Sequence, residues 1–169
     1  MNRVLAEWNN AVADDAMRAM IACCGAKRWA SAMVAQRPFA GILELSEAAD
    51  RNWDAMQEAD WLEAFACHPR IGERKATRAS AQAAAWSRQE QSSASSASDL
   101  VLSELADGNA LYEKRFGFTY IVCATGRSAE EMLTILQRRL ASDRDSELRE
   151  AAEQQRQILQ IRLGKWLMQ

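Results

Sequence analysis

An all-α fold is what this 169-residue sequence predicts, and three observations carry that reading. Only two prolines, Pro38 and Pro69, interrupt the chain, and a proline inside a helix removes a hydrogen bond and clashes with the preceding turn. Long stretches are dominated by Ala, Leu, Met, Gln, Glu and Arg, the residues that lose least on entering a helix. Within 128–140, Met132, Leu133, Leu136 and Leu140 recur at helical spacing behind a Ser128/Glu131 capping-box pair.

The first helices are expected over residues 2–9, 13–22, 27–36 and 39–50. Asp60 followed by Glu63 predicts the start of a short helix that carries Trp61, Leu62 and Phe65 toward His68. Pro69 and then Gly72 stop it. Further helices are expected over 78–91, 98–115, 128–140 and 145–167. Between Gly117 and Gly126 the aromatic and β-branched run 118–124 reads instead as one short extended, buried segment. The Ser/Ala run at 92–98 has the composition of a flexible linker. Patterned sequence resumes at once with Asp99, Leu100, Leu102 and Leu105, which favours a connection between helices. No internal repeat is visible, and a chain of this length with 49% hydrophobic residues is expected to form a single compact multi-helix domain over 1–169.

Composition excludes several functions. A formal net charge of −2, a pI near 5.6 and charges mixed in sign along the chain give no field for nucleic acid, so an acidic small molecule would have to be met by individual arginines. Cys23, Cys24, Cys67 and Cys123 lack the paired spacing of a zinc site. One histidine excludes a histidine-rich metal centre. Reduced thiols in a cytosol are the simplest account of the cysteines. The N-terminus carries charges where a signal peptide needs an apolar core, and nothing approaches the roughly 20 apolar residues of a membrane span. Trp166-Leu167-Met168-Gln169 is not a peroxisomal address. A cytoplasmic protein with no membrane partner is expected.

His68 is the lone imidazole, in the run Cys67-His68-Pro69-Arg70-Ile71-Gly72-Glu73. The proline disfavours the α conformation at His68, which places it at the carboxyl end of the preceding helix. The negative pole of the helix dipole there favours the protonated ring, whose ordinary pKa of about 6.5 suits a proton donor. A lone histidine at a helix end also serves simply as a cap or a satisfied surface residue. Ser87, Glu90 and Gln91 stand at i, i+3 and i+4, so a helix puts a hydroxyl, a carboxylate and an amide on one stripe. Such a stripe reads a polar ligand or is merely solvated. Arg70, Arg115 and Arg127 lie near these segments, while Arg162 sits amid apolar neighbours, from where it can turn inward to a carboxylate or oxyanion.

Taken together, four stretches in order resemble the signatures of the OHCU decarboxylases: 68–73, 87–91, Asn109-Ala110-Leu111-Tyr112-Glu113-Lys114-Arg115-Phe116-Gly117, and 120–127. The resemblance covers the chain well from about Trp61 onward and the N-terminal helices more loosely. It implies an all-α fold peculiar to the family, commonly a homodimer, and a cofactor-free decarboxylase acting on 2-oxo-4-hydroxy-4-carboxy-5-ureidoimidazoline, the last intermediate between urate and allantoin. Carried onto this sequence, it makes His68 the catalytic acid and Glu90 its acidic partner. Pro69, Ser87 and Gln91 become substrate contacts, with Arg88 and Gln89 in the same run. Tyr120, Ile121, Val122, Cys123 and Ala124 would line the ring pocket, partly through backbone groups, and Arg162 matches an arginine near the end of the family's last helix. Phenylalanine is as common as tyrosine at position 120 in that pattern, which bears on whether the hydroxyl touches the ligand. A different class of function, a non-catalytic helical module that binds a purine-derived ligand or a protein partner, would use the same stripe without turnover. The joint presence of His68 and Glu90 in these contexts disfavours it.

Overall fold

The computed structural model describes residues 2–72 and 79–169. Glu73, at the end of the 68–73 motif, and residue 78, at the start of the helix expected over 78–91, lie outside the described residues. Among the described residues the elements are α1 (Arg3–Asn10), α2 (Ala13–Cys23), α3 (Lys27–Ala35), α4 (Ile42–Asp54), α5 (Glu58–Phe65), α6 (Ala81–Glu90), a 3₁₀ helix (Ser92–Ser96), α7 (Asp99–Phe116), α8 (Ala129–Arg139) and α9 (Arg144–Leu167), with no strand. No helix among them is long and apolar enough to cross a membrane.

Local chemistry sets the helix ends. Ser80, Ser98 and Ser128 each accept a hydrogen bond from the backbone amide three residues on, and Ser128 with Glu131 forms the full capping box expected of it. Asp143 does the same for α9, accepting the Ser146 amide at 2.9 Å and its hydroxyl at 2.7 Å. Those donors hold the Asp143 carboxyl below its ordinary pKa, the amide contributing most. At the other end of α7, Gly117 takes φ +83° and donates to the Glu113 carbonyl, a left-handed closure that glycine adopts without strain.

α4 runs on to Asp54 rather than ending near 50, and α6 begins at Ala81 behind the Ser80 cap. Two helix starts differ from the sequence reading for a visible long- or short-range reason. α4 begins at Ile42 rather than near 39, because the Phe39 amide and carbonyl are taken by the Asn9 carboxamide and the Ala40 amide by Glu44. α5 begins at Glu58 rather than at Asp60. The Asp60 carboxylate reaches back to the Gln57 amide at 2.9 Å, so it sits inside the first turn as the returning half of a cap. Residues 119–124 are non-helical and form no strand, and Tyr120 to Ala124 are buried as expected.

The described residues fall into two compact units, one within Met1–Ala64 and Arg156–Gln169, the other within Phe65–Gln155. In the first, Trp8 and Trp29 anchor the core: each indole N–H donates to a backbone carbonyl, of Ala16 and Ala49 respectively, at 3.0 Å. Trp8 also packs on Phe39 and edge-on to Trp166. In the second, Tyr112 stands among Phe116, Phe118 and Tyr120, with ring centroids 4.7, 5.7 and 5.3 Å away. α7 and α8 approach closely in this unit, since a methyl group at Gly108 would stand 2.6 Å from Leu136 Cδ2.

Removing the Ser128 side chain orphans the Glu131 amide, while the Ser128 backbone amide keeps its bond to the Glu131 carboxylate. Ser128→Ala is expected to lower stability by about 0.5–2 kcal/mol, read as a lower urea midpoint at unchanged m.

Candidate active site

The turn that follows α5 is fixed at four of its residues, His68, Arg70, Ile71 and Gly72. The His68 amide donates to the Phe65 carbonyl at 3.0 Å, so His68 continues the last turn of α5, as the proline effect predicts. Arg70 grips Glu113 of α7 through two nitrogens at 2.8 and 2.6 Å, a fork geometry that fixes orientation as well as distance. The Ile71 carbonyl accepts from Asn109 Nδ2, also on α7, at 3.1 Å. Gly72 donates its amide to Gln91 Oε1 at 3.1 Å and takes φ +88°, a left-handed conformation that costs a side-chain-bearing residue strain. The imidazole is half-buried and Pro69 behind it is buried.

The Gly72–Gln91 bond ties that turn to the end of α6. On α6 Ser87 is 2% exposed and Glu90 is half-buried, as is Gln91 just past the helix end. Arg88 and Gln89 are exposed. Because Gln91 Oε1 is taken by Gly72, its NH₂ is the end left for a ligand contact. The serine run beyond is a short helix rather than a linker. There the Ser93 hydroxyl donates to the Arg127 carbonyl and Ala94 is buried.

Residues 120–124 are held by groups that spacing did not single out. Arg139 is 3% exposed; its Nη1 donates to the Ile121 carbonyl at 2.7 Å and its Nε to Glu147 Oε1 at 2.8 Å. Tyr112 also donates to Glu147 Oε1. The Cys123 amide donates to Gln154 Oε1 at 2.9 Å. Tyr120 donates its hydroxyl to the Met132 carbonyl at 3.0 Å, so that hydroxyl is committed inside the protein. Burial pushes both tyrosines well above the ordinary phenol value, and the Arg139 charge only partly opposes it. For Arg139 itself burial pulls downward, but the Glu147 hydrogen bond and the charges around it outweigh that and hold the guanidinium above its usual value.

Arg162 belongs to the first unit and is 2% exposed. Its charge bears on the buried Cys23 thiol, which burial raises and Arg162 partly lowers. Of the scaffold residues, Asn109 and Glu113 lie in a quoted motif. Arg139 had a sequence signal as well: with Met132 and Leu136 it continues the apolar stripe at i, i+4 and i+7. That stripe turns inward at Arg139, while Leu140, expected on it, is half-buried just past α8.

Among the described residues the fold is all-helical, with the histidine on a turn bonded at a helix end and Gln91, after α6, tied to the same turn. Residues 9–164 match the model of the OHCU decarboxylase family, and the chain belongs to that family. It is 38% identical over 144 residues to the uric acid degradation bifunctional protein TTL of Arabidopsis thaliana, a match that covers 85% of this chain and 44% of that longer protein. Against the 2-oxo-4-hydroxy-4-carboxy-5-ureidoimidazoline decarboxylase of Amia calva it is 32% identical, over 79% of this chain and 77% of that one. With the Mus musculus protein of the same name the figures are 29%, 79% and 75%. A crystal structure of an OHCU decarboxylase in the presence of (S)-allantoin superposes with TM-score 0.77 at 35% identity, over 88% of this chain and 96% of that one. An (S)-allantoin synthase structure shares the fold, with TM-score 0.69 at 16% identity over 96% of this chain and 53% of that one.

Two outcomes follow from the buried network. Arg139→Ala leaves Glu147 as an uncompensated buried charge and is expected to cost about 3–5 kcal/mol in urea unfolding. Neither of the two tyrosines should ionise in the native protein between about pH 9 and pH 11. Because both native values are raised, their stabilisation is whole below about pH 10 and is lost as pH rises from there toward the native values. An ultraviolet pH titration checks this: tyrosinate absorbance should appear with unfolding and not before it.

Proposed function

We propose that this chain catalyses the decarboxylation of 2-oxo-4-hydroxy-4-carboxy-5-ureidoimidazoline to (S)-allantoin and carbon dioxide, the last step from urate to allantoin, without a cofactor. The observation that carries the reading is the braced turn of a family member: His68 at the end of α5, with the same turn bonded through Gly72 to the Ser87/Glu90/Gln91 stripe. The three relatives with named activities are described as uric acid degradation or ureidoimidazoline decarboxylase proteins.

The chemistry needs little from the protein beyond placement. The carbon that bears the carboxylate also bears a hydroxyl and adjoins a C=N bond. When the carbon–carboxylate bond breaks, carbon dioxide leaves and its electron pair flows into that neighbouring unsaturation, so no further electron sink is needed. The enol-like intermediate collects one proton at the ureido-bearing carbon and one at the ring nitrogen that received the electron pair, and it loses its hydroxyl proton as the ring carbonyl forms. Net, one carboxylate and one proton become one C–H bond and one carbon dioxide. Delivery from a single face sets the S configuration.

In this scheme His68 supplies that proton, and Glu90 holds the substrate hydroxyl or orients the imidazole. Ser87 and the Gln91 NH₂ bind ureido or ring amides, beside Pro69. Arg88 and Gln89 are exposed on α6, so their part in binding is at its rim. Residues 120–124 line the ring pocket through apolar side chains and backbone, and Arg162 stabilises charge developing on a ring oxygen. The chain is taken to work as one domain in the cytoplasm, on its length and composition, and as a homodimer, on the family resemblance. All four cysteines are thiols, which agrees with a reducing compartment.

Circular dichroism of the allantoin formed when the protein is added to urate, urate oxidase and hydroxyisourate hydrolase tests the reaction. Fast appearance of the S signal is expected with the wild type. His68→Asn should lower turnover by about 10²- to 10⁴-fold, leaving slow racemic product. Glu90→Gln should also be impaired. Full turnover in that variant would remove Glu90 from the reaction, and a wild type no faster than the spontaneous rate would sink the decarboxylase reading.

A further inference from the structure

Asn109 stands in the interior of α7, where asparagine forms helix less readily than leucine or methionine, and it is 1% exposed. Its Oδ1 has no hydrogen-bond partner among the described residues, a cost that an apolar side chain of similar size would avoid. What the carboxamide does is donate through Nδ2 to the Ile71 carbonyl at 3.1 Å. That carbonyl shares one peptide plane with the Gly72 amide, which in turn donates to Gln91 Oε1 at 3.1 Å. The Ile71–Gly72 peptide is therefore held at both poles, by α7 through its oxygen and by the residue after α6 through its nitrogen.

Two bonds at opposite edges of a rigid plane stop it from turning, so the Gly72 N–H keeps a fixed aim at Gln91. Donation into the carbonyl also polarises the peptide and makes its N–H a stronger donor, so the bonds of such a chain reinforce one another. The chain runs from Asn109 to Ile71 and from Gly72 to Gln91, and its outer end is the Gln91 NH₂. A glutamine carboxamide that can flip offers a ligand its donor or its acceptor. Anchored at Oε1, Gln91 offers the donor alone. A ligand met by that end has to present an acceptor, such as the carbonyl oxygen of a ureido arm or of an imidazoline ring.

We propose that Asn109 is a positioning residue that acts through the Ile71–Gly72 peptide to hold the Gln91 carboxamide with its NH₂ toward the substrate, so that Gln91 selects a carbonyl oxygen. This rests on the decarboxylase reading above and deepens it by naming the residue that sets the donor end of Gln91. Asn109 itself touches no substrate and moves no proton. The competing account is that Asn109 merely satisfies the buried Ile71 carbonyl, and the two differ in what its loss does to binding.

The test compares wild type, Asn109→Leu, Asn109→Asp, Gln91→Ala and the double variant Asn109→Leu/Gln91→Ala for KM, kcat, affinity for (S)-allantoin by calorimetry, and hydrogen exchange of the Gly72 amide by NMR without ligand. Expected for Asn109→Leu is a rise of roughly 3- to 10-fold in KM and in the allantoin Kd, with kcat changed less and Gly72 exchanging faster. Asn109→Asp is near-isosteric but lacks the donor, and should behave alike. In the Gln91→Ala background the loss of Asn109 should add less than about twofold, because the contact it acts through is already gone. A merely structural residue behaves otherwise: its loss reduces the amount of active protein, and so the apparent kcat, at unchanged KM and equally in both backgrounds. Unchanged KM and Kd in both Asn109 variants, unchanged Gly72 exchange, or an undiminished effect in the Gln91→Ala background would overturn the proposal and leave the decarboxylase reading intact. Loss of helical structure in both Asn109 variants would make the role structural and overturn it as well. A wild type that neither turned over substrate nor bound allantoin would overturn the decarboxylase reading, and the selection by Gln91 with it, whatever the Gly72 exchange showed of the chain.

Discussion

The buried pair of Arg139 and Glu147 is the constraint around which the second unit is organised. A non-helical segment buried inside an all-helical protein has backbone groups that no regular ladder satisfies, and each left unpaired is costly. Arg139 meets the Ile121 carbonyl, Gln154 the Cys123 amide, and Tyr120 anchors itself on the Met132 carbonyl. A guanidinium can serve a carbonyl in an apolar interior only if its charge is balanced, which is what Glu147 does. Tyr112 then satisfies the same carboxylate oxygen and brings its ring against Tyr120. Apolar side chains of equal volume would fill this space at similar stability. They could not hold a carbonyl at a fixed place, which the proposed lining role of residues 120–124 requires.

α7 links this network to the histidine. Asn109, Tyr112 and Glu113 stand at i, i+3 and i+4, so they share one side of the helix. Two of them hold the turn after His68, through the Ile71 carbonyl and the Arg70 guanidinium, while the third enters the Arg139–Glu147 cluster. A displacement of α7 would therefore disturb the imidazole support and the 120–124 segment together. Gly108 lets α7 lie close against Leu136 of α8, and Gly117 closes it in the left-handed turn that launches the buried segment. The 109–117 stretch resembles a family signature because most of its distinctive residues carry such a positional task, none of which requires contact with substrate.

Much of this was legible in the sequence where a single local rule decides. The Ser128 capping box, the histidine set at a helix end by Pro69, and the stripe of Ser87, Glu90 and Gln91 all depend on residues within four positions of one another. The late start of α4 was not legible, because Asn9 lies 30 residues from the Phe39 groups it takes. Nor were the partners of Arg139, because a charged residue at a helix end reads as solvated unless the acid eight residues on is known to fold back onto it. The pattern Met132, Leu136, Arg139 did carry a trace of it, visible only if arginine is allowed on an apolar stripe. Long-range polar pairing is therefore what sequence periodicity leaves out, and here it builds the scaffold.

For a decarboxylation that needs no electron sink beyond the substrate's own C=N bond, the protein's contribution under the proposed scheme is orientation, and orientation depends on how few ways the supporting parts can move. His68 is on a half-buried turn, where proton exchange with solvent remains easy, yet the turn is bonded at His68, Arg70, Ile71 and Gly72 to α5, α6 and α7. The Arg70–Glu113 pair is partly exposed and contributes little to stability by itself. Its bidentate geometry restricts rotation at the residue two beyond the imidazole, and the Asn109 and Gln91 bonds restrict the next two. Several weak contacts in series thus achieve what one strong contact would not: an accessible acid whose backbone is nonetheless held, so that a proton is presented to one face of a planar intermediate and not to the other.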